Sequence, residues 1–294
     1  MDVLVIGAEG QLGHDLCAVF SDCTLHRADL DGDFHIMDVT DVKAVNGLIS
    51  DLKPELVINT SAAHNVALCE QDPAIAFAVN ATGARNVAVA CNEVNARMVH
   101  VSTDYVFGDG GTHPFVESDR PQPLSVYAAS KLAGEYLIAS VLDDHIIVRT
   151  AAIYGEAACR AKGGRNFVGT MLHLAATRPE VKVVTDEITT PTYTGALARQ
   201  MRLLAEKGPA GLYHATCQGA CSWYEFAEAI FEETGTDVKL TPTTSSEFQS
   251  PVRRPSYSVL ENYNAQSQNL DIMPDWREGL KAYLTETENQ TAAS

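Results

Sequence analysis

The chain is short of positive charge. Its 21 lysines and arginines stand against 38 aspartates and glutamates, a formal net charge of -17 over 294 residues. Most of the surface therefore repels a nucleic-acid backbone, and no nucleic-acid partner is expected. A small anionic ligand is not excluded, because it needs a helix N-terminus or a few arginines and not a basic protein. Long apolar runs are lacking too: no 18-residue apolar stretch is read, so no membrane partner is expected. The opening MDVLVIGAEG has no basic n-region and no cleavage-site pattern, and the expected location is the cytoplasm. No C-x-x-C occurs among the seven cysteines (Cys17, Cys23, Cys69, Cys91, Cys159, Cys217 and Cys221). Most of this odd number of scattered thiols read as small buried side chains in a reducing compartment. His214, Cys217 and Cys221 are close in sequence, but their spacing matches no common zinc module, and no metal is expected.

What is present suffices for a sizeable core. The 46% of hydrophobic residues suits one large domain, or a large domain with a smaller lobe. Short β-like runs alternate with helical stretches through the first half: VLVIG (3–7), a helix from Gln11, TLHRA (24–28), a helix near 41–52 and LVINT (56–60). A helical stretch over 73–94 opens on Pro73, then come RMVHVST (97–103), a helix around Tyr127 and HIIVRT (145–150). That alternation predicts an α/β fold, a doubly wound parallel sheet with helices on both faces. After residue 150 the regularity loosens: helices are read at 166–178, 196–206 and 222–234, a strand at 181–185, a turn-rich DEITTPTYTG at 186–195 and an ordered loop at 250–262. The closing TETENQTAAS is expected to fray.

Gly7, Gly10 and Gly13 form G-x-x-G-x-x-G between the first strand and the first helix. Glycine permits the tight turn and the close approach of a pyrophosphate, and the free N–H groups of the helix start favour its oxygens. Strand before and helix after raise this weak motif to a dinucleotide site. Beyond it, HRAD offers Arg27 and Asp29 at the end of the second strand. A carboxylate there suits the ribose hydroxyls of NAD and an arginine the 2′-phosphate of NADP. Arg27 inclines the expectation to NADPH, with NADH left open. Asp38 is read as a helix cap or an adenine contact.

VYAASKLAGE places Tyr127 and Lys131 on one helical face. An ammonium one turn away favours the phenolate and brings the phenol, ordinarily near pKa ~10, within reach of proton transfer. Tyr127 is then a proton donor to a carbonyl oxygen as hydride arrives, and Lys131 also holds a cofactor ribose. Y-x-x-x-K alone is common. HVSTDYVFG adds Ser102 and Thr103 at the C-terminal end of a buried strand, where open α/β sheets bind ligands. Thr103 is the better candidate for a hydroxyl facing the substrate.

The glycine loop, STDYVF and YAASKLAGE together resemble the extended short-chain dehydrogenase/reductase superfamily. More narrowly, roughly residues 1–280 are similar to the dTDP-4-dehydrorhamnose reductase family, from GAEGQLG through INTSAAHNVALCEQDP, VNATGARNVA and DEITTPTYTG to GLYHATCQGACSWYEFAEAIFEE and RRPSYSVLEN. The resemblance implies a Rossmann domain over 1–150 binding NADPH or NADH. It also implies a mainly substrate-binding lobe over 151–294, with some segments returning to the first domain, and a deoxythymidine-diphosphate sugar as substrate. By position it implies Thr103, Tyr127 and Lys131 as catalytic residues and Gly7, Gly10, Gln11 and Leu12 along the pyrophosphate. Asp38 and Val39 would lie by the adenine, with Ala62, Ala63, His64 and Asn80 beside the cofactor and Asp104, Tyr105 and Val106 facing the sugar. A homodimer is left open.

Two departures bear on the substrate. The family's usual TSWVYG is TAAIYG here, so Ala152 replaces an aromatic whose contact can be worth about 1 kcal/mol beyond burial. A longer EAACRAKGGRNF loop brings Arg160, Lys162 and Arg165, read either as diphosphate ligands or as a solvated loop. Arg253 and Arg254 suit a diphosphate or carboxylate, or a structural salt bridge; Arg254 is taken as the substrate candidate. Trp223 and Tyr224 follow Ser222, a good N-cap, and read as core first. Asp104-Tyr105 stands where a dehydratase of this superfamily has Asp-Glu, which argues against dehydration. A nucleotide-sugar epimerase and a non-catalytic NADP-binding regulatory subunit of methionine adenosyltransferase type are the alternative readings.

Overall fold

The computed structural model describes residues 1–158, 164–247 and 252–293, with the side chains of 288–293 excluded. Arg160 and Lys162 lie outside the described residues.

In chain order the first half runs β1 (Asp2–Ile6), α1 (Gln11–Val19), β2 (Thr24–Asp29), β3 (His35–Ile36), α2 (Val42–Leu52), β4 (Leu56–Asn59), α3 (Val66–Gln71) and α4 (Pro73–Phe77). A π-helical turn (Ala78–Gly83) leads into α5 (Ala84–Val94), then β5 (Arg97–Thr103), a 3-10 turn (Asp104–Val106), α6 (Val126–Ala139), β6 (His145–Thr150) and β7 (Ile153–Tyr154). The second half continues with α7 (Phe167–Thr177), β8 (Glu180–Val184), β9 (Ile188–Thr189), β10 (Thr192–Tyr193), α8 (Thr194–Lys207), β11 (Gly211–His214) and β12 (Cys221–Ser222). It closes with α9 (Trp223–Thr234), β13 (Lys239–Thr243), α10 (Tyr263–Ser267) and α11 (Trp276–Ala293).

Seven strands form one parallel sheet in the order β11-β6-β5-β4-β1-β2-β3. The order reverses beside β1, where β2 lies on one side and β4 on the other, opening a crevice at the carboxyl ends of β1 and β4. Both faces of the sheet are covered, so its central strands are apolar at successive positions. Val3, Val5, Ile58, Val99 and Val148 pack on one side with Leu12 and Leu16 of α1 and Leu197 and Met201 of α8. Leu4, Ile6, Val57 and Met98 pack on the other with Val45 of α2, Val87 of α5 and Ile138 of α6.

The first core continues past the sheet into the pieces that follow β6. There Tyr154 meets Tyr193, Phe226 and Tyr283 with ring centroids 5.3–6.1 Å apart. Short strand pairs β7–β10, β9–β12 and β8–β13 frame this part.

Several elements differ from the sequence reading. The turn-rich 186–195 holds β9 and β10, whereas the loop over 252–262 is ordered as expected, pinned by bridges from Tyr257 to Ile188 and Leu260 to Phe115. Residues 285–293 of the tail expected to fray form the second half of the 18-residue α11. Pro73–Val94 forms a 22-residue helical stretch long and apolar enough to cross a membrane, although no such run was read from the sequence. Its apolarity has another use here: Ala84, Val87, Ala88 and Cys91 are buried in the core between the sheet and its neighbouring helices.

Helix α6 approaches the π-helical turn so closely that a Cβ on Gly134 would lie 2.2 Å from Asn80 O. Backbone cannot yield as a flexible side chain does, so Gly134→Ala should destabilise the protein by about 1–3 kcal/mol, read as a lowered denaturant midpoint. Wild-type stability in this variant would contradict that packing.

Candidate active site

The chain leaves β1 through Gly7, whose φ of +82° disfavours any residue with a Cβ. A Cβ there would also lie 2.4 Å from Thr60 Oγ1, which donates to Ile6 O at 2.9 Å and to Gly7 O at 3.1 Å. Gly10 is the N-cap of α1 and offers no side-chain bond, so the first N–H groups of that helix are left to an outside acceptor. This close-set loop at the crevice fits the pyrophosphate of a dinucleotide. Gln11 turns its side-chain amide to Gly155 O at 3.1 Å, and Leu12 is buried in the core. Their backbone remains for a ligand.

The residues expected around the rest of a dinucleotide divide. Asp29 is buried at the crevice, and its oxygens accept from Glu9 N at 2.9 Å and Leu30 N at 2.8 Å, so the carboxylate shapes the glycine loop itself. Arg27 is exposed and stacks its guanidinium 4.4 Å from the Phe34 ring. Asp38 does not cap a helix: it accepts from Thr40 N and Thr40 Oγ1 at 2.8 Å, and Asp41 caps α2. Val39 is buried, its carbonyl accepting from Asn86 Nδ2 at 3.0 Å. Ala62 and Ala63 are half-buried, and His64 is exposed with Nδ1 3.3 Å from Ala62 O. Asn80 is fully buried; it accepts from Ala63 N at 2.8 Å and donates to Ala63 O at 3.1 Å and to Ser130 Oγ at 2.9 Å.

Thr103, Tyr127 and Lys131 come together where β5 meets α6. Ser125 caps α6 by accepting from Ala128 N at 3.2 Å, which sets Tyr127 in the first turn. The Thr103 side chain lies near enough to the Tyr127 phenol to act on its ionisation. Thr103 Oγ1 also donates to Asp104 Oδ1 at 3.1 Å and accepts from Tyr105 N at 3.2 Å. Strand alternation explains why Thr103 and not Ser102 is placed here. Met98, His100 and Ser102 point to the α6 side, where Ser102 Oγ donates to the buried Glu135 at 2.5 Å. Glu135 is in turn held by Arg149 Nε at 2.9 Å and Nη2 at 2.6 Å.

Burial sets the electrostatics. Desolvation pushes the Tyr127 phenol well above its ordinary range, and the neighbouring Thr103 side chain opposes that rise. Asp104 is pushed up to about 7 by burial, opposed by hydrogen bonds from Ser258 and Thr103. Lys131 is pushed down to about 8 by burial, opposed by Glu135. Its Nζ donates to Val101 O at 2.6 Å and lies 3.2 Å from His100 Nε2. The sequence reading has this ammonium lowering the Tyr127 pKa; here it is held by the strand and the phenol is raised, because one helical turn fixes the backbone spacing and not the side-chain direction.

On the other side of the cleft the Tyr105 ring meets Tyr127 edge to face at 6.1 Å, and Val106 is buried. Burial raises the Tyr105 phenol, and the positive charge of Arg254 opposes it. Arg254 likewise opposes the burial-raised Glu187. Arg253 instead pairs with Asp109 at 2.7 Å, the structural salt bridge of the two readings. Ser222 closes a capping box with Glu225, and Trp223 packs 4.6 Å from Phe167. Arg165 is exposed. Ala152 has φ +44°, a left-handed conformation costly for a residue with a Cβ, at the exit of β6.

A family model described as "RmlD substrate binding domain" matches residues 1–289. The chain is 39% identical over 285 residues to the spore coat polysaccharide biosynthesis protein SpsK of Bacillus subtilis, covering 97% of each. The crystal structure of a dTDP-4-dehydrorhamnose reductase from Clostridium acetobutylicum superimposes with TM-score 0.92 at 40% identity, over 98% of this chain and 100% of that one. That of the Bacillus anthracis dTDP-4-dehydrorhamnose reductase in complex with NADP gives TM-score 0.91 at 34% identity, over 97% and 99%.

The raised Asp104 makes a sign-definite prediction. Its folded value of about 7 exceeds the ordinary 3.8, so ionisation costs stability; the cost is absent below the ordinary value, grows with pH, and is complete above the folded one. Asp104→Asn removes it. Denaturant unfolding should show the variant gaining on wild type by on the order of 2–4 kcal/mol between acidic and mildly alkaline pH. Parallel pH profiles for the two proteins would contradict the assignment.

Proposed function

The chain belongs to the dTDP-4-dehydrorhamnose reductase family, and from that premise we propose that it reduces the C4 ketone of a dTDP-6-deoxy-hexulose with NADPH or NADH. The preferred substrate is dTDP-4-dehydro-L-rhamnose, giving dTDP-L-rhamnose. The observation that carries this reading is the placement of the Thr103 side chain, at the end of β5, beside Tyr127, in the first turn of α6, at the crevice. A protein that only bound a nucleotide would have no need of two converging hydroxyls there.

A bound nicotinamide supplies the hydride. The chain's own task is to hold the ketone oxygen and deliver a proton to it. Tyr127 is the proposed general acid, and Thr103 the second hydroxyl on the same oxygen. Thr103 has one proton, directed at Asp104 in this structure. Turning that proton to a ketone is easier when Asp104 is itself protonated, and burial favours that form. Gly7, Gly10 and the backbone of Gln11 and Leu12 would receive the pyrophosphate. Asp29, Arg27, Asp38, Val39, Ala62, Ala63, His64 and Asn80 would border the remaining cofactor, Asp29 and Asn80 by shaping backbone. Asp104, Tyr105, Val106 and Arg254 would face the sugar diphosphate, Arg254 beside the Glu187 carboxylate. The small side chain of Ala152 makes the sugar, more than the reaction, the open variable.

Tyr127→Phe removes the proton donor and keeps the ring. It should lower kcat by about 10²–10⁴-fold while NADPH affinity stays near wild type. Full turnover in this variant would sink the assignment.

A further inference from the structure

Beneath the site a chain of buried groups links Asn59 of β4, His100 of β5 and Lys131 of α6, which are 1%, 0% and 2% exposed. The parallel register of β4 and β5 sets Asn59 opposite His100. Ser61 N lies 3.0 Å and Ser61 Oγ 2.6 Å from Asn59 Oδ1. Asn59 Nδ2 lies 3.3 Å from His100 Nδ1, and His100 Nε2 lies 3.2 Å from Lys131 Nζ. Lys131 Nζ donates to Val101 O at 2.6 Å.

These contacts have a direction. A backbone N–H only donates, so the Asn59 atom facing Ser61 N is its oxygen, and its NH₂ faces His100. His100 Nδ1 must therefore be the nitrogen with the lone pair. A neutral imidazole then carries its proton on Nε2, aimed at Lys131 Nζ. An ammonium has no lone pair to receive it, whereas a neutral amine does. We propose that Asn59 and His100 are positioning residues that make Lys131, in its neutral amine form, the acceptor of a hydrogen bond in the cofactor-free protein.

The other groups around Lys131 do not reverse this. On α6, Glu135 favours the ammonium, but its carboxylate is shared by Arg149 of β6 and Ser102 of β5. Asp104 and Cys69 of α3 act on Tyr127, and Glu70 takes Val126 N at 2.7 Å at the start of α6. Burial holds His100 neutral. Charging Lys131 thus requires the His100 contact to break and another acceptor to be offered, such as the hydroxyls of a nucleotide sugar. That consequence rests on the proposed function; the direction of the chain does not.

The test is a long-range proton–nitrogen correlation spectrum of the full-length, cofactor-free protein labelled with ¹⁵N-histidine, with His100 assigned by its loss in His100→Gln. The expected result is a neutral His100 protonated on Nε2. Protonation on Nδ1, or on both nitrogens, overturns the proposal whatever any variant does. Asn59→Asp supplies a second reading, because a carboxylate accepts from both Ser61 N and an Nδ1–H. The tautomer should flip, and the Lys131 titration, followed by ¹⁵N-lysine signals, should rise by on the order of one pH unit. An unmoved Lys131 in a folded Asn59→Asp protein also contradicts the proposal. A protein with the expected tautomer that reduces no nucleotide-sugar ketone would contradict the proposed function alone.

Discussion

The site depends on one buried amide. Asn80 holds the loop after β4 through both polar groups of Ala63 and holds α6 through Ser130 Oγ, whose own proton goes to Tyr127 O. The loop lines the crevice at the reversal of strand order, and α6 carries Tyr127 and Lys131. Their separation is therefore set by a side chain that contributes no chemistry to the proposed reaction. A π-helical turn presents it, a geometry that recurs at functional sites because it re-aims side chains out of the regular α pattern.

Around that frame desolvation acts in one sense. It opposes charge on Asp104, Tyr127, His100 and Lys131, while the charges that persist are paired, as in Glu135 with Arg149. Groups whose charge burial opposes, and that can still exchange protons, suit a reaction in which a ketone oxygen gains one. The same burial explains why a surplus of acidic residues over the whole chain says little about the cleft.

Local signals in the sequence were sufficient for parts of this. The glycine loop was legible because strand, turn and helix are contiguous, and Tyr127 with Lys131 because helical spacing is local. Thr103 was legible from its place at a strand end. Non-local pairing hid the rest. Nothing in GLYH marks β11 as a seventh strand, since four residues show little periodicity and β6 supplies the pairing. The contacts of Asn59 and His100 arise from the register between two strands, and Asp29 and Asp38 proved to serve nearby backbone instead of standing ready for a ligand. Residue types indicated chemistry; hydrogen-bond direction needed the fold.

The most direct test of the proposed reaction follows nicotinamide absorbance while dTDP-4-dehydro-L-rhamnose, generated in place from its precursor, is added to the wild-type chain with NADPH or NADH. The account predicts oxidation of the cofactor matched by formation of dTDP-L-rhamnose. Confirmed cofactor binding with no oxidation on that substrate would contradict it.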